Sequence, residues 1–182
     1  MADSREARFT MLYEQHYDEV LAFCNRRIDR IEAEDATADV FAVAWRRSDE
    51  IDWDTARPWL YGIARGVMAN RWRAGRRRMR LFGRIASVTS LAAEGPDVQV
   101  VRRAQDQEVL AAVRRLRPRD QEILLLAAWE ELTAPEIAVV VSITVSAAEQ
   151  RVHRAKQRLA KILEARPFTS DLSLGAADEG RY

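Results

Sequence analysis

The side chains best suited to chemistry lie near the carboxyl end of the chain, on a segment with helical spacing. One apolar stripe recurs every three or four residues and consists of Ala148, Val152, Ala155, Leu159 and Ile162. At about 100° per residue, the opposite face carries hydrogen-bond donors and positive charges, namely Ser146, Gln150, His153, Arg154, Gln157 and Lys161. A helix with such a face and an apolar back suits base edges and phosphates in a DNA major groove. An ordinary surface helix with a solvated basic face is the alternative interpretation.

This segment is the second of two helices joined by a short turn. The residues Thr133 to Glu136 (TAPE) have the pattern of a capping box, in which a Glu reaches back to the start of its own helix. Pro135 suits the first helical turn, because its missing N–H has no intrahelical partner there. A short apolar helix follows, residues 142–144 form a turn, and the longer helix begins near Ser146. The spacing predicts a helix-turn-helix.

A second group of chemically useful side chains lies on a helix predicted from Arg57 to about Arg78. Its core stripe is Leu60, Ile63, Ala64 and Val67, and its other faces interleave rings with polar and basic groups: Trp59, Tyr61, Arg65, Asn70, Trp72, Arg73 and Arg76. Stacking of bases on rings contributes about 1–3 kcal/mol per base, while arginines hold phosphates, so this helix fits single-stranded nucleic acid. The alternative is a helix whose Trp residues are half-buried and whose arginines are solvated.

An acidic helix is predicted from Glu32 to about Arg47, with Ala36, Val40, Phe41 and Ala44 as its buried stripe. Asp35 and Asp39 share the outer face, and no Lys or Arg occupies the matching positions on this helix. The pattern indicates either a solvated acidic face or a docking surface for a basic protein. The loop that follows, residues 48–55, contains Trp53, which is either an exposed functional ring or a lid on the core.

These elements predict an all-α chain of two small helical domains joined by a flexible linker. The 182 residues are 48% hydrophobic, which is enough for a core in each domain. We expect an N-terminal helical domain over residues 1–86 and a linker over 87–106, where periodicity is lost around Gly95 and Pro96. A four-helix domain with the helix-turn-helix follows over 107–164, and residues 165–182 are predicted to form a mobile tail.

Composition argues against several other classes of protein. The formal net charge is only +1, and the single Cys24 excludes an internal disulfide framework. We find no metal-ligand cluster, no phosphate-cradling glycine loop and no nucleophile–base pair, so neither an enzyme nor a cofactor is expected. No signal peptide and no bilayer-spanning apolar run is visible. These features predict a soluble, cytoplasmic chain that does not bind membranes.

The order of these parts resembles a bacterial RNA polymerase sigma factor of the sigma-70 family, in its small extracytoplasmic-function (ECF) group. Four motifs carry the resemblance: EDATADVFAVAWRR (34–47), RPWLYGIARGVMANRWR (57–73), LRPRDQEILLLAAWEELTAPEIA (116–138) and VSAAEQRVHRAKQRL (145–159). Each motif is degenerate, but four in this order are specific, and they cover most of residues 9–163.

The resemblance implies that the chain binds core RNA polymerase and directs it to promoters. The acidic helix would dock on a coiled coil of the largest polymerase subunit, through Asp35, Asp39, Phe41 and Trp45. The loop and the arginine-rich helix would capture and melt the minus-ten element and hold flipped bases of the non-template strand. The residues implied there are Trp53, Trp59, Tyr61, Arg65, Gly66, Asn70, Arg71, Trp72, Arg73 and Arg76.

The resemblance also implies that the helix-turn-helix reads the minus-thirty-five duplex. The residues implied are Ser146, Glu149, Gln150, Arg151, His153, Arg154, Lys156 and Gln157. Glu149 replaces a usual Lys, and it would either accept from cytosine N4 or form a cap with Ser146. Gly66 stands where the family often has Asn. An anti-sigma factor is a candidate further partner.

A stand-alone helix-turn-helix regulator with an N-terminal ligand-sensing or dimerisation domain is the rival hypothesis. Such a protein would bind duplex DNA tightly by itself, as a dimer on a palindrome. It gives no reason for the face that carries Tyr61, Trp72 and Arg76. Binding to duplex with and without core polymerase separates the two hypotheses.

Overall fold

The computed structural model describes residues 2–82 and 104–165, and this part of the chain is all-α, without strands. It comprises α1 (Ala2–Asn25), α2 (Arg30–Arg46), α3 (Ala56–Phe82), α4 (Ala104–Arg114), α5 (Pro118–Ala128), α6 (Ala134–Val141) and α7 (Val145–Glu164). Two short 3₁₀ turns, Ser48–Glu50 and Trp53–Thr55, connect α2 to α3. The predicted linker lies outside the described residues except for 104–106, which begin α4, and the predicted tail lies outside them beyond residue 165.

The helices α1, α2 and α3 form an N-terminal unit around a common core. The stripe predicted on α2 is confirmed, because Ala36, Val40, Phe41 and Ala44 are all buried. Asp29 caps α2 by accepting a hydrogen bond from the Glu32 amide at 2.9 Å. Such a cap satisfies one of the amides that have no partner within the helix, and so fixes where α2 begins.

The helices α4 to α7 form a C-terminal unit that contains the predicted helix-turn-helix. The Glu136 carboxylate accepts from both the amide and the hydroxyl of Thr133, at 2.8 and 2.7 Å, as the capping pattern predicts. Ser142 ends α6 in the left-handed conformation, with a φ of 54°. Thr144 then caps α7 by accepting from the Ala147 amide at 3.2 Å. The helix therefore begins at residue 145, one position earlier than expected.

The two units pack directly on each other, and their buried residues form one continuous core. Between α3 and α6, Gly62 faces the backbone of Val140. A Cβ atom on Gly62 would lie 3.5 Å from the Val140 carbonyl oxygen, which is ordinary van der Waals contact. Ile137 and Ala138 on α6 belong to the same core as Leu60 on α3. Helical periodicity gives no indication of this contact between the units.

A buried ionic cluster reinforces this contact, and we refer to Glu130, Arg26, Arg27 and Arg57 together as the latch. The Glu130 side chain, in the connection between α5 and α6, is only 1% exposed. Arg27, in the turn after α1, donates to its Oε1 at 2.8 Å, and Arg26 of the same turn donates to both of its carboxylate oxygens. Arg57 of α3 donates to the Glu130 backbone carbonyl. The connection between α5 and α6 is therefore fixed to the turn after α1 and to α3 in the N-terminal unit.

Candidate nucleic-acid interface

The helix α7 is seated by its apolar back and exposes its polar face. Ala148 and Ala155 are fully buried, while Val152, Leu159 and Ile162 are partly buried against the core. All eight residues predicted for duplex recognition are exposed: Ser146, Glu149, Gln150, Arg151, His153, Arg154, Lys156 and Gln157. The apolar stripe and the polar face lie on opposite sides of the same helix. Packing of the stripe against the core therefore determines which side chains face solvent.

Hydrogen bonds along α7 hold part of this face in place. Arg154 Nη2 donates to Gln150 Oε1 at 2.9 Å, and the Gln157 amide nitrogen lies 3.0 Å from His153 Nε2. These are pairs one helical turn apart, so each long side chain is partly positioned before any ligand arrives. The cap at the start of α7 is formed by Thr144, so the alternative that Glu149 is used in a cap with Ser146 is wrong.

Farther out on α3, a ring and several cations are exposed together. The Trp72 side chain is 47% exposed, and the Arg76 guanidinium lies 5.8 Å from its ring centroid. Arg73 donates to Asn70 Oδ1 at 2.6 Å and to the Ala69 carbonyl at 3.3 Å. A ring flanked by guanidinium groups provides a stacking surface for a base next to donors for its phosphates.

The inner half of α3 lies against the C-terminal unit. Arg65 Nε donates to Glu122 Oε1 of α5 at 2.5 Å, so this arginine is paired across the contact. A cleft of about 300 Å³ lies alongside, between α2, α3 and α6. Three predicted minus-ten residues, Trp59, Gly66 and Asn70, line it together with Val139 and Ser142 of the helix-turn-helix.

The structure corrects the position expected for Tyr61. Its side chain is only 3% exposed, and its ring stacks on Phe23 of α1 with centroids 4.3 Å apart. Burial raises the pKa of its hydroxyl, because the phenolate would be poorly solvated there. The prediction that Tyr61 presents its ring to an unpaired base is therefore wrong, because Tyr61 belongs to the core of the N-terminal unit.

Trp53, in the loop between α2 and α3, is exposed and lies next to residues of α1. Its side chain is 42% exposed at the start of the second 3₁₀ turn. It lines a cleft of about 240 Å³ with Arg5, Arg8 and Phe9 of α1. Arg5 fixes this end of α1 to the loop by donating to Ser48 Oγ at 2.6 Å. Of the two interpretations of Trp53, the exposed ring is the one that the structure favours.

Of the four residues predicted for polymerase docking, three are exposed. Asp35, Asp39 and Trp45 are at the surface of α2. Phe41 is only 4% exposed and packs edge-on against Tyr13 with centroids 4.8 Å apart, so its prediction as a contact residue is wrong. It faces the core because it falls on the same helical stripe as Val40 and Ala44.

One carboxylate of the acidic face of α2, that of Asp39, is paired with an arginine from another helix. Arg71 of α3 donates to Asp39 Oδ2 through Nη2 at 2.6 Å and through Nε at 3.1 Å. The arginine that neutralises Asp39 comes from another helix, 32 residues away in the chain, and not from the matching positions on α2. Arg71 itself is half-buried and serves as the partner of an acid rather than as an open cationic site.

Several residues that hold the two units together cannot be identified from helical periodicity in the sequence. The latch residue Glu130 pairs with Arg26 across 104 positions, and Glu122 pairs with Arg65 across 57. The one local indication is a charged residue, Glu130, between the buried Leu126 and Leu132. A carboxylate in such a position requires a buried partner, but its neighbours in the chain do not identify that partner.

Within residues 2–82 and 104–165, no group of three or more His, Cys, Asp or Glu side chains is arranged to hold a metal ion. None of the helices described there has the length and apolar character needed to cross a membrane. The thiol of Cys24 is buried, and burial raises its pKa.

Comparisons with known proteins give matches to both helical units. The family model for sigma-70 region 2 matches residues 12–78, and that for sigma-70 region 4 matches residues 106–159. RNA polymerase sigma factor CnrH of Cupriavidus metallidurans is 30% identical over 146 residues, which cover 76% of each chain. ECF RNA polymerase sigma factor BldN of Streptomyces coelicolor is 28% identical over 158 residues, which cover 85% of this chain and 60% of BldN.

The fold has a match among solved structures. Sigma factor RpoE of Bartonella quintana, solved in complex with the anti-sigma factor NepR, superposes with a TM-score of 0.60 at 20% identity. The match covers 88% of this chain and 99% of RpoE. With both family regions, the identity to CnrH and an all-helical fold in agreement, this chain belongs to the extracytoplasmic-function group of the sigma-70 family, whose members direct promoter-specific transcription initiation.

Proposed function

We propose that α7 reads the minus-thirty-five duplex of the promoters that this sigma factor serves. The observation that carries the proposal is the exposure of all eight predicted residues on a helix whose opposite face is buried. Arg154 and Gln150 are linked side chains able to donate to base edges, while Arg151 and Lys156 flank them as phosphate contacts. Glu149, which forms no cap, is available to accept from cytosine N4.

The melted minus-ten strand is assigned to the outer half of α3 and to the loop before it. Trp72 with Arg76, and Trp53 beside Arg5 and Arg8, are exposed rings next to guanidinium groups. Holding a flipped base costs a few kcal/mol in lost stacking and pairing, which new stacking and phosphate contacts must offset. Tyr61 is not included in this assignment, because its side chain is buried.

Core polymerase is assigned to the exposed face of α2, with Asp35, Asp39 and Trp45 as contact residues. The side chain of Trp45 is 39% exposed and lies under the Arg5 guanidinium, 4.9 Å from its ring centroid. The chain would work in the cytoplasm, where the polymerase transcribes, and would catalyse no step itself. An anti-sigma factor is included among the proposed partners.

Arg154→Ala tests the duplex assignment directly. We expect the substitution to weaken binding to a minus-thirty-five duplex by about 1–3 kcal/mol, because a base-facing donor is lost. Fluorescence anisotropy at fixed salt measures the change, on a duplex taken from a promoter that a genomic library yields in run-off transcription. Arg119→Ala is the matched control, since it removes an exposed arginine from α5 instead. Equal losses for the two variants would contradict the assignment.

The same run-off assay separates this function from that of a stand-alone regulator. We expect transcription from the selected promoters only when the chain and core polymerase are both present. Tight binding of the free chain to a palindromic duplex, with no stimulation of core polymerase, would support the regulator instead.

Trp72→Ala is expected to lower open-complex formation while leaving duplex binding unchanged, because its ring is assigned to the melted strand.

A further inference from the structure

An ion pair on one flank of α7 connects an arginine of this helix to the start of α5. Arg158 Nη1 donates to Asp120 Oδ2, in the first turn of α5, at 2.6 Å. The Arg158 side chain is 47% exposed, whereas that of Asp120 is only 13% exposed. The arginine therefore lies at the surface, while the carboxylate that accepts from it is largely covered by protein.

Helical spacing places Arg158 on the same flank of α7 as a proposed phosphate contact, Arg151. The two are seven residues apart, so their directions differ by about 20° and they lie about 10 Å apart along the helix axis. Arg154, which is proposed to face the bases, lies between them, and all three are exposed. Phosphates border both sides of a major groove about 12 Å wide, so position alone would make Arg158 a further phosphate contact.

The turn of α5 that carries Asp120 is held in place by its own hydrogen bonds. The amides of Asp120 and Gln121 donate to the Arg117 carbonyl oxygen at 2.8 and 3.0 Å. The Gln121 side chain donates to the carbonyl oxygens of Leu116 and Arg114, at 2.7 and 3.1 Å. Asp120 is therefore a fixed acceptor, and the long Arg158 side chain is the partner that would move if the pair broke.

The apolar contacts that seat this part of α7 do not involve the ion pair. Ala155 is buried with Leu116 and Leu124, and Leu159 and Ile162 pack against the same cluster. Ion pairs with an exposed partner contribute little to stability compared with buried apolar side chains. The main effect of the pair is therefore on the direction of the guanidinium group, and not on the position of the helix.

We propose that Asp120 is a positioning residue that keeps Arg158 off the DNA backbone and so limits the number of phosphates that α7 neutralises. The inference rests on the proposed function of α7. A phosphate that recruits Arg158 must take it from a largely covered carboxylate, and loss of that charge-assisted hydrogen bond opposes the exchange. Because phosphate contacts carry no sequence information, Asp120 weakens binding to duplex DNA of any sequence.

The salt dependence of duplex binding measures the number of phosphate contacts. Each phosphate that a protein neutralises adds about 0.9 to the slope of log affinity against log salt concentration. We expect Asp120→Ala in the full chain to steepen this slope by about 0.9, both for a minus-thirty-five duplex and for a mixed-sequence duplex. At about 0.1 M salt, affinity for both duplexes should rise at least about threefold. Fluorescence anisotropy over a series of salt concentrations gives both quantities.

Matched variants separate this role from a change in net charge. Glu108→Ala removes an acid from the exposed surface of α4 and should leave the slope unchanged. Asp120→Glu keeps a carboxylate beside Arg158 and should keep the parent slope. Arg158→Gln should not alter the slope in the parent, but should abolish the increase in Asp120→Ala, because this arginine makes the added contact. Asp120→Asn preserves the shape of the side chain and provides the same test if Asp120→Ala fails to fold.

Three results would overturn the inference. The first is an unchanged slope in Asp120→Ala and Asp120→Asn, and the second is a steeper slope that persists after Arg158→Gln. The third is an equal loss of minus-thirty-five binding in Asp120→Ala and Arg158→Gln without a steeper slope, which would mean that the pair only supports the position of α7. Failure of the proposed function itself is recognised separately, because Arg154→Ala would then leave duplex binding unchanged.

Discussion

At the scale of single residues, Asp39 and Arg71 show how one ion pair can belong to two proposed surfaces. Asp39 lies on α2 and is proposed to bind polymerase, whereas Arg71 lies on α3, which is proposed to bind melted DNA. Arg71 Nη2 and Asp39 Oδ2 are 2.6 Å apart. Both side chains keep substantial exposure, so the pair contributes no more than about 1 kcal/mol to stability. A polymerase that takes over Asp39 would free Arg71 for a phosphate.

Asp39→Asn and Arg71→Gln separate these roles. We expect Asp39→Asn to weaken binding to core polymerase, because a cation on the partner loses its carboxylate. Arg71→Gln should leave polymerase binding intact and weaken only DNA binding. Native-gel or surface-plasmon titrations with core enzyme measure the first effect. If Arg71→Gln weakens polymerase binding as much as Asp39→Asn does, the pair is needed to position α2, and Asp39 is not itself a contact.

The cap of α6 leads to a prediction about pH. Hydrogen bonds from the hydroxyl and the amide of Thr133 lower the pKa of Glu136 below its ordinary value. A carboxyl group with a lowered pKa in the folded protein stabilises the fold above its unfolded pKa, about 4.3, and that contribution is lost as pH falls through the folded value.

Thr133→Ala is therefore expected to destabilise the protein by about 1 kcal/mol at pH 7 and by less near pH 3. Urea unfolding at several pH values measures the difference between the parent and the variant. Repeating the comparison in a Glu136→Gln background serves as the control, since no titrating group remains at the cap. A difference that keeps its size down to pH 3 would show that Glu136 ionisation is not involved.

At the scale of elements, the turn between α6 and α7 contains local strain. Ser142 ends α6 with a φ of 54° and a ψ of 56°, a conformation that a side chain with a Cβ atom adopts at a cost of about 1–2 kcal/mol. Glycine adopts it without that cost. The shape of the turn is nevertheless required, because it directs α7 so that its apolar stripe reaches the core.

Ser142→Gly is expected to raise the free energy of unfolding by up to about 1 kcal/mol, because the strain is removed while the turn is kept. Thermal and urea unfolding, followed by circular dichroism, measure the gain. Ser142→Ala is the matched control and should give no gain, since alanine keeps the Cβ atom. A gain of equal size for both would mean that the serine hydroxyl, and not backbone strain, is unfavourable.

The helix α3 contains two exposed glycines whose removal should stabilise it. A Cβ atom at Gly66 or Gly75 would meet no heavy atom within 4 Å. We expect Gly66→Ala and Gly75→Ala each to stabilise the chain by about 0.5–1 kcal/mol, through helix propensity and a less flexible unfolded state. The open space at Gly66 also means that Asn, which the family often has there, would fit. Loss of stability in Gly66→Ala would indicate a contact that the structure lacks.

The elements were largely predictable from sequence, because a helix repeats every 3.6 residues and its buried stripe therefore appears as a local pattern. The stripe of α7 and the reach-back of Glu136 to Thr133 follow from residues within one or two turns. The partners of Glu130 and Asp39 could not be predicted, because they depend on which helices become neighbours. Tyr61 was assigned to the wrong face because a helical wheel places a residue on a side but does not identify which side another helix will cover.

At the scale of the whole molecule, the shared core is the dominant feature. Ile137 of α6 is 1% exposed and belongs to the same buried cluster as Leu60 of α3 and Val20 of α1. Two helical units with separate cores would unfold independently. A common core couples them, so loss of packing in one unit weakens the other.

Ile137→Ala is expected to lower the free energy of unfolding by about 2–5 kcal/mol, because it leaves a cavity in the shared core. Calorimetry should record one transition that shifts as a whole, in agreement with fluorescence from Trp59 in one unit and Trp129 in the other. Two transitions, of which only one moves, would contradict coupling. Leu159→Ala is the comparison, since Leu159 packs on the smaller cluster within the C-terminal unit.

The close approach of Gly62 to Val140 has a consequence for inheritance and for protein engineering. A Cβ atom at position 62 would lie in van der Waals contact with the backbone of α6, so the surfaces of the two units that meet there must match in shape. In a hybrid that joins residues 1–82 of this chain to the C-terminal unit of a relative, the two contacting surfaces would come from different proteins and would not be matched to each other. Such hybrids are expected to need compensating changes along this seam before they recover native thermal stability.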